Sequence, residues 1–120
     1  MWRIGLLILL SIVTELNVQA KSIEKQLENI AQQEDQVRAV SQLGDLLEIN
    51  NLTNSQRIKI LMRQCRRYLD LSDLKKSFAV IQQAKGLLGQ ERVSEQHAQV
   101  NKLMGIVLYY QGQYEQSLLA

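Results

Sequence analysis

The chain has 120 residues, no proline, one cysteine and a formal net charge of +2. So mild a charge argues against a dedicated nucleic-acid binder or an acidic tail, and one thiol excludes an internal disulfide framework. With β-branched residues scattered among Leu, Gln, Lys, Arg, Ala and Glu, which are good helix formers, the expected fold class is all-α.

Residues 1–20 read as an export signal. Arg3 supplies the positive n-region, Ile4 to Val13 the apolar run, and Val18-Gln19-Ala20 the small-residue cleavage site. A membrane-spanning helix needs about 20 mostly apolar residues, and this run breaks at Thr14, Glu15 and Asn17. Cleavage, export to a bacterial periplasm and no membrane span thereafter are expected; an uncleaved anchor or a first amphipathic helix are the other readings. Removal takes away Arg3 and Glu15, one charge of each sign, so residues 21–120 keep the net charge and have the length of one small domain.

The first helix follows Ser22, a suitable cap, with Ile23, Leu27 and Ile30 at i, i+4, i+7 and Ala31 alongside. A second begins near Glu34-Asp35, where acidic groups suit the positive end of the helix dipole, and carries Val37, Val40, Leu43, Leu46 and Leu47 inward. Asn50 to Asn54 is the clearest loop. Asn54 or Ser55 caps the third helix, with an inward stripe of Ile58, Leu61, Cys65, Tyr68 and Leu69. Asp70-Leu71-Ser72-Asp73 turns into a fourth, carrying Leu74, Ser77, Phe78, Ile81 and Ala84 and ending near Gly86 or Gly89. Ser94 caps a fifth with Val100, Leu103, Met104, Val107 and Leu108. Gln111-Gly112-Gln113 is expected to turn the chain into a sixth helix starting at Tyr114.

The last two hairpins echo each other. Leu61, Cys65, Tyr68, Ser72, Leu74 and Ser77 align with Asn101, Gly105, Leu108, Gly112, Tyr114 and Ser117 at a constant offset of 40. Small groups recur where helices would cross (Cys65, Gly105, Ser77, Ser117), and larger ones fill between them (Tyr68, Leu108, Leu74, Tyr114). A weaker copy at an offset of 38 relates Ile23, Leu27, Ile30, Ala39, Leu43 and Leu46 to Leu61, Cys65, Tyr68, Ser77, Ile81 and Ala84.

This pattern resembles the tetratricopeptide repeat, whose consensus of about 34 residues places Leu-Gly, then an aromatic, then a small residue in the second helix. Met104-Gly105, Leu108 and Ser117 stand at those positions here, whereas the consensus Trp and Pro are unfilled and the period is longer. The resemblance divides the chain into a degenerate repeat over 23–50, a repeat over 55–88 and an incomplete one over 94–120. It implies antiparallel helix-turn-helix repeats forming a short right-handed α-solenoid, with a concave surface for a protein or peptide. Contacts would come from the first helix of each pair, making Arg63, Arg67, Lys102 and Tyr109 the candidate partner-binding residues. Cys65, Tyr68, Leu74, Ser77, Gly105, Leu108, Gly112, Tyr114 and Ser117 would be structural.

Residues that could carry chemistry are few. His97 has no Cys, Asp or Glu at metal-ligand spacing, so a surface role is expected and no metal or other cofactor. Cys65 occupies the small-residue position of a helix crossing, which favours packing over nucleophilic work. Arg57, Lys59, Arg63, Arg66 and Arg67, with Lys75 and Lys76 beyond, form a basic stripe without interleaved exposed aromatics, which suits a solvated face or the rim of an acidic-partner groove better than nucleic acid. Either Tyr109 or Tyr110 could line a groove. Asn51-Leu52-Thr53 matches an N-glycosylation acceptor in a loop. No phosphate loop, catalytic carboxylate pair or Ser-His-Asp set is visible, so an enzyme is not expected. The expected function is an exported protein–protein interaction module. The alternatives are the N-terminal sensory part of a larger membrane-anchored diguanylate cyclase or histidine kinase, and a truncated product with no role of its own.

Overall fold

The computed structural model describes residues 23–89 and 95–119, with side chains to 116 in the last helix. The expected export signal, the expected caps Ser22 and Ser94 and the Ser117 side chain lie outside the described residues. Those described form five helices and no strand: α1 (residues 23–31), α2 (Gln36–Leu47), α3 (Asn54–Asp70), α4 (Leu74–Leu87) and α5 (Glu95–Leu119). The fold is all-α. The chain divides into two compact units between Gln32 and Gln33.

In the first unit, Ile23, Leu27 and Ile30 are buried along one face of α1, whereas Ala31 is exposed. The helix ends at Gln32, whose N–H donates to the Asn29 carbonyl at 3.2 Å, the tightened last turn common at a helix terminus.

In the second unit the starts of α2, α3 and α4 are each capped by a side chain. The Asp35 carboxylate accepts from the Arg38 N–H at 3.2 Å, and the Asp73 carboxylate from the Lys76 N–H at 3.1 Å. Both satisfy donors that the helix itself leaves orphaned. The start of α3 corrects the expected cap: Thr53, not Asn54 or Ser55, holds it, within a reciprocal capping box. Its hydroxyl accepts from the Gln56 N–H at 3.1 Å, while the Gln56 side-chain carbonyl accepts from the Thr53 N–H at 2.9 Å. The Thr-x-x-Gln spacing satisfies two backbone donors at once, which Asn54 and Ser55 cannot do from inside the first turn.

The α3–α4 turn is a Schellman closure. The Ser72 N–H reaches the Leu69 carbonyl and the Asp73 N–H the Tyr68 carbonyl, both at 2.9 Å, with Ser72 in the left-handed region at φ 59°. A β-carbon there is strained where glycine is not. Ser72→Gly is therefore expected to stabilise the fold by about 0.5–1 kcal/mol, read as a higher urea midpoint at unchanged slope. Among the described residues Asn51 is the other at positive φ, 67°, a conformation its short amide side chain tolerates.

The main core lies among α3, α4 and α5. Ile58, Leu61, Met62 and Cys65 meet Ile81 and Ala84 of α4 and Val100, Leu103 and Val107 of α5. The α3–α4 pair is an antiparallel hairpin. α2 packs against α3, and α5 packs mainly on α4 while also touching α3. On α2 the buried stripe is Ala39, Leu43 and Leu46, and Val37 is 66% exposed, contrary to its expected inward position. Two residues before Ala39 means about 200° of helical rotation, so Val37 must face away from the stripe.

α5 brings a larger correction. It runs unbroken from Glu95 to Leu119, so Gln111-Gly112-Gln113 is not a turn and no sixth helix begins at Tyr114. A single helical glycine costs about 1 kcal/mol relative to alanine. The flanking glutamines favour helix and nothing supplies an alternative set of hydrogen bonds, so the helix continues. Gly112 has no positive φ, and a β-carbon built on it meets nothing within 4 Å. Gly112→Ala should accordingly raise helicity and stability by about 1 kcal/mol, whereas loss of stability would show that the backbone turns there.

Candidate functional site: a groove between α3 and α5

α3 and α5 run side by side in the same direction. Near their starts the Gln96 side-chain amide of α5 donates to the Ser55 carbonyl at 3.1 Å and to its hydroxyl at 3.0 Å, a pair 41 residues apart. Towards their other ends the two helices line one groove of about 770 Å³. Arg66, Leu69 and Asp70 form its α3 wall, Ser72 and Leu74 close the turn end, and Leu103, Ile106, Tyr110 and Tyr114 form its α5 wall. The floor is aliphatic and the rim carries phenols and charges.

Helix lengths explain why the groove opens. At about 1.5 Å rise per residue, the 25 residues of α5 outrun the 17 of α3. Val100, Leu103 and Val107 point into the core, and the same face continues to Tyr110 and Tyr114, which are 50% and 59% exposed. Side chains of the packed stripe thus emerge as a tyrosine ledge. Leu108 and Tyr109 lie outside that stripe and are also exposed. The Tyr109 and Tyr110 rings meet edge to face at 5.8 Å, and the Tyr109 hydroxyl accepts from the Gln113 amide at 2.9 Å. Part of the ledge is therefore already ordered.

The four candidate contact residues fall in different settings. Arg63, Lys102 and Tyr109 are exposed, and none of them lines the groove. Arg67 is half-buried. Its guanidinium donates to the Gln33 carbonyl and to the Gln36 side chain, both at 2.8 Å, and so ties the segment entering α2 to α3. Both bonds leave one guanidinium nitrogen, Nη1, which the planar group holds in a fixed direction; a lysine must reach the same two acceptors from a shorter, freely rotating ammonium. Arg67→Ala is expected to cost about 1–2 kcal/mol, seen as a lower midpoint of thermal unfolding, with Arg67→Lys recovering only part.

Among the structural positions, Cys65 and Ser77 are both fully buried, and the Ser77 hydroxyl is satisfied by donating to the Leu74 carbonyl at 2.9 Å. Tyr68 and Leu74 are half-buried, and the Lys76 ammonium lies 5.9 Å from the Tyr68 ring centre. Gly105 corrects the expectation of a close helix crossing, because a β-carbon there would meet nothing within 4 Å. Leu108 and Tyr114, expected as fillers, are exposed: Leu108 lies off the buried stripe of α5, and Tyr114 continues that stripe beyond its last buried residue, Val107.

Burial pushes the Cys65 thiol up from its ordinary 9.0 to about 11, against a smaller opposing pull from the Arg66 charge. It is protonated and inert at neutral pH. Among the described residues no group of three His, Cys, Asp or Glu side chains is placed to hold a metal ion, and no helix is long and apolar enough to cross a membrane. The Thr53 hydroxyl of the Asn51-Leu52-Thr53 motif is engaged as the α3 cap.

The sequence allows Tyr109 or Tyr110 to line a groove, and Tyr110 does; the walls themselves are not legible there because they come from two helices whose buried stripes are read separately. The available signal was the 40-residue offset itself: it sets Arg66 level with Ile106 and Asp70 level with Tyr110. No protein-family model, curated protein or solved structure matches the chain.

Proposed function

We propose that the chain is an exported, tetratricopeptide-like interaction module that holds another polypeptide in the groove between α3 and α5. The observation that carries this is the tyrosine ledge. Tyr110 and Tyr114 stand exposed beside an aliphatic floor on a rigid helix, a setting in which large amphipathic side chains provide contact area at little entropic cost. Two further features support it: α3 and α5 lie parallel about one repeat apart, as the first helices of successive repeats would, and the fully buried Cys65 and Ser77 leave room for close helix packing. Binding is non-covalent and needs no cofactor, and a superhelical arrangement of the repeats belongs to the same proposal.

The test is selection of random twelve-residue peptides displayed on phage against residues 21–120, followed by affinity measurement on a Tyr110→Ala/Tyr114→Ala variant. Binding should weaken by about 10- to 30-fold. Equal binding by both proteins would remove the groove from consideration. For export, intact mass of the secreted product should show the chain beginning at Lys21; a mass including residues 1–20 would oppose it.

A further inference from the structure

Resting on the groove as the binding surface, we propose that its occupant is an acidic polypeptide segment. Large apolar side chains of that segment seat between Leu69 and Ile106, and its carboxylates lie against Arg63, Arg66 and Lys102.

The charge distribution points there. Residues 54–87 contain eight cations, Arg57, Lys59, Arg63, Arg66, Arg67, Lys75, Lys76 and Lys85, against two carboxylates, Asp70 and Asp73, a net +6 within a chain whose total is +2. The near-neutral total conceals a strongly basic hairpin. Lys59, Arg63 and Arg66 recur at i, i+4, i+7, all exposed, so they share one face of α3. Arg66 stands in the groove wall itself. Across the groove, Lys102 is one turn from Ile106 on α5 and close to the level of Arg63 in the 40-residue register. Among the described residues, no carboxylate lies within 4 Å of Arg63, Arg66 or Lys102. Lys76 and Asp73 form an exposed ion pair at 3.8 Å that belongs to the turn.

Cations at the edge of an aliphatic groove are partly shielded from water once the groove is filled, which strengthens charge-assisted hydrogen bonds to a partner's carboxylates. Two arginines add planar forks that match carboxylate geometry. Asp70 decides against a nucleic acid. It lines the same wall as Arg66, so a phosphate backbone running along the groove would meet it at every pass, whereas a peptide can set an uncharged residue or a backbone N–H opposite it.

The experiment uses the same random twelve-residue peptide library. Selected peptides should carry net negative charge together with at least one aromatic or large aliphatic residue. The best synthetic peptide should lose about tenfold or more in affinity on Arg63→Glu/Arg66→Glu, and lose affinity as sodium chloride rises from 50 to 500 mM. Exchanging its acidic residues for lysine should restore binding to the charge-reversed protein. Both arginines are exposed, so the variant should melt with the wild type. Peptides that are uncharged and indifferent to the arginine reversal, yet lost on Tyr110→Ala/Tyr114→Ala, would overturn the acidic partner and leave the groove standing. Peptides indifferent to the tyrosines would overturn both. Competition by a single-stranded DNA 12-mer at equal concentration would assign the stripe to nucleic acid, and self-association of the wild type abolished by the arginine reversal would assign it to a second copy; either result overturns the acidic partner.

Discussion

Replacing Ile60 by alanine is expected to destabilise the second unit by about 2–5 kcal/mol. Ile60 is fully buried although it lies outside the stripe of Ile58, Leu61, Cys65, Tyr68 and Leu69 that periodicity assigns to α3. Its neighbour one turn on, Gln64, is only 6% exposed, and a β-carbon on Gly44 of α2 would lie 3.7 Å from the Gln64 amide. Ile60 and Gln64 therefore share the flank of α3 that carries α2, while Leu61, Met62 and Cys65 serve the core with α4 and α5. Truncation there removes up to three carbons' worth of buried surface and leaves a cavity between two helices that cannot collapse independently. Equilibrium urea unfolding measures the loss. A cost below about 0.5 kcal/mol, typical of surface positions, would mean that α2 does not hold that flank closed. Val37→Ala, on the exposed face of α2, is the matched control and should be nearly neutral.

Why Ile60 escapes a sequence reading is a matter of how many partners a helix has. A one-sided helix buries an arc just wide enough for residues at i, i+3, i+4 and i+7, and the α2 stripe of Ala39, Leu43 and Leu46, packed against α3, follows that rule. α3 is covered on two flanks, so its buried arc also takes in Ile60, Met62 and Gln64, and a pattern of period 3.6 has no means of saying so. The acidic pair Glu34-Asp35 and the turn ending at Asp73 mark where α2 and α4 begin, and the structure shows Asp35 and Asp73 to be the caps themselves. At Thr53 the capping box was present in the sequence as Thr-x-x-Gln, but the neighbouring Asn54 and Ser55 drew the boundary one turn position late. Gly112 misled in the opposite sense. Glycine marks a turn only where the backbone has other partners to turn towards, and between two glutamines the helical bonds win. The offset of 40 was legible and placed residues of α3 and α5 level with each other; that they would face across an open groove depends on how far α5 outruns α3, which local pattern does not encode.

Alkaline destabilisation through Cys65 is the second large effect. The thiol loses its proton near 9.0 when exposed and at about 11 in the fold, because burial disfavours the thiolate more than the nearby Arg66 charge favours it. Between those values the unfolded chain binds fewer protons than the folded one, so stability falls as pH rises, by about 1.4 kcal/mol per unit. Well below 9.0 the thiol is protonated in both states and contributes no pH dependence, and across the whole interval the loss reaches on the order of 2–3 kcal/mol. The quantity to measure is a difference between the wild type and a variant that lacks the thiol. Urea midpoints of the wild type and of Cys65→Ala, followed from pH 8 to 11, should converge or cross, since alanine costs stability at neutral pH by leaving a small void yet has no proton to lose. Parallel curves would show that the thiol is not held protonated by the core. Iodoacetamide supplies an independent reading: at pH 8 alkylation should proceed only through the open state and slow in step with added stability, for example on introducing Ser72→Gly. A cysteine that reacts at the rate of a free thiol would instead place Cys65 at an opening between α3 and α4, and with it the packing on which the groove walls rest.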